Sequence, residues 1–319
     1  LIVFSLLPTV LLLVTLEVSL YLAGIGKSVN RIPQFQLWGG HDRMVIDPYT
    51  GVRLKPHGLY GGEAFNSLGC RGKEFEKSAA IKVLCLGDST VFGIGLDDHN
   101  DTFPTKLEKM LEEYRQNKGL SGDVEVLNGG VPSFCLYQCL QLYGHYLSKE
   151  CKFDYIIATF GWNDTPGGAI DLKFVLKEPP LRNKVLARIH RFGSRFRLYD
   201  VIANHFRHEY HNLPKSRRKR ANFQFEIYLR QLVDLAQRNG AKIVLMPVFV
   251  QASDTEMDDY NAITRNVAKE LNVTFIESVQ PAFDDKSNKV GWIDRCHYDA
   301  NGHTVVAQQL VNEYFKKEF

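Results

Sequence analysis

The sequence has 319 residues, 45% hydrophobic and 24% charged, ordinary globular usage that excludes a disordered or collagen-like chain. Its net charge of +3 is too small on its own to argue for nucleic acid. Its six cysteines (Cys70, Cys85, Cys135, Cys139, Cys151 and Cys296) are too few for a disulfide scaffold and contain no CxxC pair for a structural zinc.

The first 26 residues differ in kind from the rest: eighteen are apolar and one, Glu17, is charged. As a helix this stretch is about 39 Å long, enough for a hydrocarbon core of roughly 30 Å, and it predicts a single transmembrane anchor over residues 1–26. A signal peptide fits less well, because Leu20-Tyr21-Leu22-Ala23-Gly24 is a poor cleavage site and no cysteine follows to accept a lipid. Glu17 is costly at such a place and is expected to face a partner helix or to snorkel. Lys27, Arg31 and Arg43 follow the span and weakly favour a cytoplasmic C-terminal side.

Residues 27–79, rich in Gly, Pro and turn residues, read as a juxtamembrane connector with short strands. From residue 80 the pattern becomes α/β. The apolar run 81–86, ending at Gly87, predicts a central strand buried on both faces. A helix follows, opened near Thr102 and Pro104, with Leu107, Met110, Leu111 and Tyr114 on one face and Gly119 as its stop. Residues 124–127 predict a second strand, 133–147 a helix and 155–160 a third strand. A helix over 223–238 leads into a strand at 242–246. A helix at 260–271, a strand at 273–276 and a helix at 302–315 complete the chain. This alternation implies a parallel sheet covered on both faces, within one domain spanning 80–319. Residues 165–220 have no place in it and read as an insertion.

Four short motifs fall at the carboxyl ends of predicted strands, the edge where open α/β sheets place their ligands. Gly87-Asp88-Ser89-Thr90 puts a serine hydroxyl on a tight strand-to-helix turn, with Gly87 permitting the bend. It is not the G-x-S-x-G elbow, since Val91 stands two after Ser89. Asn128-Gly129-Gly130-Val131-Pro132-Ser133 offers a backbone N–H, and Gly161-Trp162-Asn163-Asp164 a side-chain amide. With the N–H of Ser89 these can form an oxyanion hole. Asp294-Arg295-Cys296-His297 sets a carboxylate three residues before an imidazole. That spacing can fix the ring tautomer and leave the other nitrogen facing Ser89 as a base. Each motif taken singly is also what a plain loop, a capping Asn or a surface pair displays. His303 lies inside the last predicted helix with no matching acid and reads as structural. Cys135 and Cys139 share a helix face and read as packing.

Read together, Ser89, Asn163 and the Asp294/His297 pair resemble, in order, the blocks of the GDSL lipase/esterase group of the SGNH hydrolases, over residues 82–319. The resemblance implies a flavodoxin-like three-layer α/β/α sandwich and ester hydrolysis through Ser89, Asp294 and His297, with Ser133 and Asn163 in the oxyanion hole. Ser133 stands where the family has a glycine, so its N–H serves only if its φ and ψ suit a side chain; Gly130 is the fallback donor. Residues 51–56 and 66–72 resemble the leader of membrane-anchored members. No metal or organic cofactor is needed. The expected partners are a small-molecule, glycan or lipid ester and a membrane reached through the N-terminal helix, not nucleic acid. The resemblance also suggests a single-pass protein with an extracytoplasmic catalytic domain, against the weak charge count. Two alternatives are an O-acyltransferase using the same triad on a glycan hydroxyl and an inactive membrane-bound scaffold.

Charge is concentrated in residues 181–220, where twelve Lys and Arg meet two acids. Leu186, Ile189, Phe192, Phe196, Tyr199, Ile202 and Phe206 recur among them at three- and four-residue steps. Such a basic amphipathic segment can lie on a membrane surface or cover a substrate groove. A solvated helix face with a loop is the plainer reading.

Overall fold

The structure, a computed structural model, describes residues 2–25, 39–164, 192, 196–199, 201–202, 215–248, 257–277, 291–294 and 296–319, with side chains placed from Leu7 in the first helix and from Ala221 in the helix that begins at Lys215. Helix α1 runs Ile2–Leu22. Its large apolar side chains from Leu7 onward stand in the open, Leu12 at 60% and Leu22 at 78% exposure. Among the described residues no helix is long and apolar enough to cross a membrane. The described residues therefore do not carry the transmembrane helix expected from residues 1–26.

Two short antiparallel hairpins follow, β1 (Met44–Asp47) with β2 (Gly51–Leu54), and β3 (Leu59–Tyr60) with β4 (Glu63–Ala64). They are fastened to the catalytic body. Met44, Val52, Leu54 and Phe65 join the apolar cluster beneath the main sheet. The fully buried Gln138 amide donates to the Thr50 carbonyl at 2.7 Å, and the Lys73 ammonium bridges Glu108 (2.9 Å) and Glu125 (2.8 Å).

The body is built from β5 (Ile81–Gly87), α2 (Ser89–Phe92), α3 (Phe103–Asn117), β6 (Val124–Gly130), α4 (Leu136–Leu142), β7 (Tyr155–Ala158), α5 (Lys215–Arg238), β8 (Lys242–Leu245), α6 (Asp258–Leu271), β9 (Thr274–Phe275) and α7 (Ala300–Leu310). Its five strands are all parallel in the order β6-β5-β7-β8-β9, the doubly wound order 2-1-3-4-5. Successive side chains of a strand point to opposite faces. Accordingly Val83 and Cys85 pack with Leu107, Leu111, Val306 and Leu310 of α3 and α7. Leu84 and Leu86 pack with Leu140, Leu229, Leu232 and Val233 of α4 and α5 on the other face. That two-sided burial is why β5 reads as an unbroken apolar run. The strand order reverses between β5 and β7, so the loops leaving these two strands diverge and open a crevice at their carboxyl ends.

Element boundaries shift in informative places. Strand β6 continues to Gly130, beyond the expected 124–127, and α4 begins at Leu136 rather than 133, because Ser133 takes a left-handed φ of 62°. Helix α5 starts at Lys215 instead of 223, so the basic run 215–220 is helical and does not belong to the insertion. Lys and Arg are good helix formers and let the helix extend without apolar periodicity. Asp299 caps α7, accepting from the N–H groups of Asn301 (2.9 Å) and Gly302 (3.0 Å). Of the expected insertion 165–220, most residues lie outside the described ones, Arg182, Lys184, Arg188, Arg191, Arg195 and Arg207 among them.

Candidate active site

At the end of β5 the chain passes from Gly87 into α2 with Asp88 as the N-cap. The Asp88 Oδ1 accepts from the backbone N–H and the hydroxyl of Thr90, both at 2.8 Å. Ser89 is the first residue of α2, which sets its hydroxyl at the carboxyl edge of the sheet. Gly87 is needed for room rather than for the bend the sequence suggests. Its φ is not left-handed, but a Cβ there would lie 2.4 Å from Val91 Cγ2 and 2.8 Å from the Thr159 carbonyl. Gly130 allows a similar approach from the neighbouring strand, since its Cβ would meet the Phe92 backbone nitrogen at 2.3 Å.

The loop before α7 brings His297 to this turn. Its Nε2 lies 2.8 Å from the Ser89 Oγ, and its Nδ1 lies 2.7 Å from the Asp294 Oδ2. The other Asp294 oxygen accepts from the backbone N–H groups of Cys296 and His297, both at 2.9 Å. Burial alone would raise the Asp294 carboxyl, but the bonds from the His297 ring and the two N–H groups outweigh it and hold the group at about 2. An ionised carboxylate at Nδ1 keeps the proton there and leaves Nε2 as an acceptor toward the serine hydroxyl. Ser89 is buried, and the His297 side chain is 14% exposed. Ser89 and the Asp294/His297 pair, 208 residues apart at Ser89 and His297, are thus brought into one hydrogen-bonded line.

The opposite wall is arranged differently. Asn163, in the loop after β7, directs its amide nitrogen at the Phe134 carbonyl (3.0 Å) and at the Asp88 carboxylate (3.3 Å). Ser133 is half-buried with φ 62°, where L side chains are disfavoured and glycine is at home. Gly130, the fallback donor, already gives its N–H to the Asn128 side-chain oxygen at 3.0 Å. Beside them, Asp164 accepts from the Leu136 N–H at the start of α4 (3.1 and 3.2 Å). Burial pushes its carboxyl up to about 7 against that bond, and the nearby Asp88 adds to the rise. Burial raises Asp88 as well, despite its bonds from Thr90.

His303 is structural, as the sequence reading has it. It is buried, its Nδ1 accepts from the Phe103 N–H at 3.0 Å, and desolvation holds it well below the ordinary imidazole range. Among the described residues two side-chain groups have the proximity of metal ligands: Asp294, Cys296 and His297, and Glu63, Asp98 and His99. In the first, Asp294 and His297 are engaged with each other and with Ser89.

Two residues that the motif reading passes over belong to the site's frame. Asp88 links the turn that carries Ser89 to Asn163. Arg71, from the segment after the hairpins, is buried and donates to the carbonyls of Phe92 (3.2 Å), Gly93 (2.6 Å) and Leu96 (2.6 Å), the exit of α2. A cationic side chain amid a turn-rich stretch gives no periodic signal; only the block 66–72 hinted at a role.

Residues 85–305 match the family model described as the GDSL-like lipase/acylhydrolase family. The chain belongs to this family. It is an ester-hydrolysing enzyme. Among solved structures, this GDSL hydrolase is similar to the α/β hydrolase LAE5 from the metagenome of Lake Arreo, Spain, at 19% identity over 73% of this chain and 94% of that one, with a TM-score of 0.48. It is also similar to the acetylxylan esterase Axe2 from Geobacillus stearothermophilus, at 19% identity over 74% and 95%, TM-score 0.47. A third is the lipase/acylhydrolase from Enterococcus faecalis, at 15% identity over 74% and 96%, TM-score 0.48. No curated protein matches the chain.

Proposed function

We propose that this hydrolase cleaves a carboxylic ester with Ser89 as nucleophile, His297 as general base and acid, and Asp294 as the group that orients His297. The observation carrying this reading is the line from Ser89 Oγ through the imidazole to Asp294, with contacts of 2.8 and 2.7 Å. Ser89 Oγ attacks the acyl carbon while Nε2 takes its proton, giving a tetrahedral oxyanion and an imidazolium stabilised by Asp294. The imidazolium then protonates the departing alcohol. Water, deprotonated by the same nitrogen, opens the acyl-enzyme to release the acid and restore Ser89. The oxyanion is received by the N–H groups of Ser89 and Ser133 and by the Asn163 amide, which turns from its longer contact with Asp88 as substrate enters. Catalytic hydrogen bonds often tighten only in the complex.

The same reading makes α1 a membrane anchor. An apolar helix with side chains exposed along its length needs a cover, and the eighteen apolar residues among the first 26 fit a bilayer. From the family resemblance we infer that the catalytic domain lies outside the cytoplasm, which protease accessibility in intact cells tests.

Labelling with a fluorophosphonate, wild type against Ser89→Ala, tests the chemistry without knowledge of the substrate. Covalent labelling on Ser89, lost in the variant, is expected. Equal labelling of both proteins, or none of either, removes Ser89 as the nucleophile.

A further inference from the structure

Glu17, the one charge in the apolar N-terminal stretch, is occupied. Its carboxylate oxygens accept from the backbone N–H groups of Arg197 (2.7 Å) and Leu198 (3.0 Å). Arg197 reaches back along α1: its guanidinium donates to the Ile25 carbonyl at 3.0 Å and lies over the Tyr21 ring, 4.9 Å from the centroid. The insertion is thereby fastened to α1 at Glu17 and Tyr21 and just beyond its end at Ile25. Around these contacts Phe192 and Phe196 meet edge to face, with centroids 5.6 Å apart, and remain 62% and 44% exposed; Ile202 is 49% exposed. An unpaired carboxylate in an apolar helix is costly in lipid. Here backbone N–H groups meet both of its oxygens.

We propose that Phe192, residues 196–199 and residues 201–202 belong to a second membrane element, which lies in the interface against α1 and presses Phe192, Phe196 and Ile202 into the acyl layer of a phospholipid bilayer. Three observations favour lipid as the occupant. First, Phe192, Phe196 and Ile202 are exposed apolar side chains close in sequence to the residues that contact α1, whose own apolar side chains are exposed too. Secondly, Glu17 lies five residues before the end of α1, about 8 Å along its axis at 1.5 Å per residue, and interfacial helices bury their apolar face by roughly 5–10 Å. Thirdly, residues 181–214 carry seven Lys and Arg against two acids, suited to anionic headgroups, and Tyr21 with Arg197 supplies the aromatic–basic pair common at that boundary. The enzyme would then be held to the membrane at two points, with the insertion bracing the anchor.

This inference depends on α1 being an anchor, and the test separates the two. The full-length protein is reconstituted in phosphatidylcholine/phosphatidylglycerol vesicles with a benzophenone amino acid in place of Leu12, Phe196 or, on the exposed surface of α5, Phe223. Lipid adducts are counted by mass spectrometry after irradiation. Adducts from positions 12 and 196 and a background level from 223 are expected. Adducts from 12 with only background from 196 overturn the inference and leave the anchor standing; background from 12 overturns the anchor and the inference with it. Adding Glu17→Leu, which makes α1 more apolar but removes both acceptors, should lower the yield at 196 several-fold and leave the yield at 12 unchanged. An unchanged yield at 196 overturns the bracing role of Glu17.

Discussion

The two walls of the active site are finished to different degrees. On the nucleophile wall, Ser89, His297 and Asp294 already hold one another at 2.7–2.8 Å. On the oxyanion wall, the Asn163 amide is turned toward Phe134 and Asp88, and Ser133 holds a backbone conformation suited to glycine. A hydroxyl, an imidazole and a carboxylate can pair with one another in the resting protein. Donors for a charge that appears only in the transition state must find temporary acceptors meanwhile. On the proposed mechanism the difference predicts that the first wall acts as a unit and the second donor by donor.

The sharpest break of that contrast is at the unit itself. Ser89→Ala and His297→Ala should each lower kcat by on the order of 10⁶-fold, and the double variant should be no worse than either single, as for residues that act together. Losses that multiply in steady-state assays would dissolve the unit. Asp294→Asn should fold normally and cost about 10⁴-fold, because the imidazole then adopts the wrong tautomer; near-normal turnover would show that another group holds His297. On the other wall, Asn163→Ala should lower kcat by roughly 10²–10³-fold with little change in KM, the cost of one oxyanion donor.

Asp164 sharpens the comparison through pH. The fold raises its carboxyl from 3.8 to about 7, so the folded state prefers the proton. Its stabilising contribution is complete below about pH 4 and is lost as pH rises through 7. Asp164→Asn should remove this slope, so that its melting temperature relative to wild type is higher at pH 8 than at pH 5; an identical difference at both would contradict the raised pKa. The smallest effect belongs to Ser133→Gly. Relief of its left-handed strain, roughly 1–2 kcal/mol and partly offset by the entropy of glycine, should raise the melting temperature slightly and leave kcat near wild type. A clear loss of kcat would show that the Ser133 side chain contributes to turnover.

The central sheet is legible in the sequence because β5 is apolar on both faces and β5, β6 and β7 each lead into a Gly-containing turn. The catalytic line is legible for a related reason: Gly87-Asp88-Ser89 and the Asp294/His297 pair are local patterns, each complete within a few residues. What escapes is non-local. The conformation of Ser133 depends on how β6 packs beneath α2, and the partners of Asn163 come from two other loops. The start of α5 at Lys215 escapes because its first turns are basic and carry no apolar stripe. The hairpins at 44–64 look like a linker, since their anchoring runs through single side chains such as Gln138 rather than through any periodicity.

Arg71 gives that attachment a mechanical meaning. Its guanidinium holds three carbonyls at the exit of the nucleophile helix, and its backbone pairs with Asn128 on the neighbouring strand. It lies between the N-terminal helix and the catalytic sheet along the chain. Arg71 thus ties the segment after the hairpins to the exit of α2 and to β6 at once, so a pull on that segment bears on the turn that carries Ser89 as well as on the sheet. A protein trimmed to begin at residue 80 would keep every catalytic side chain and lose the clamp behind Ser89.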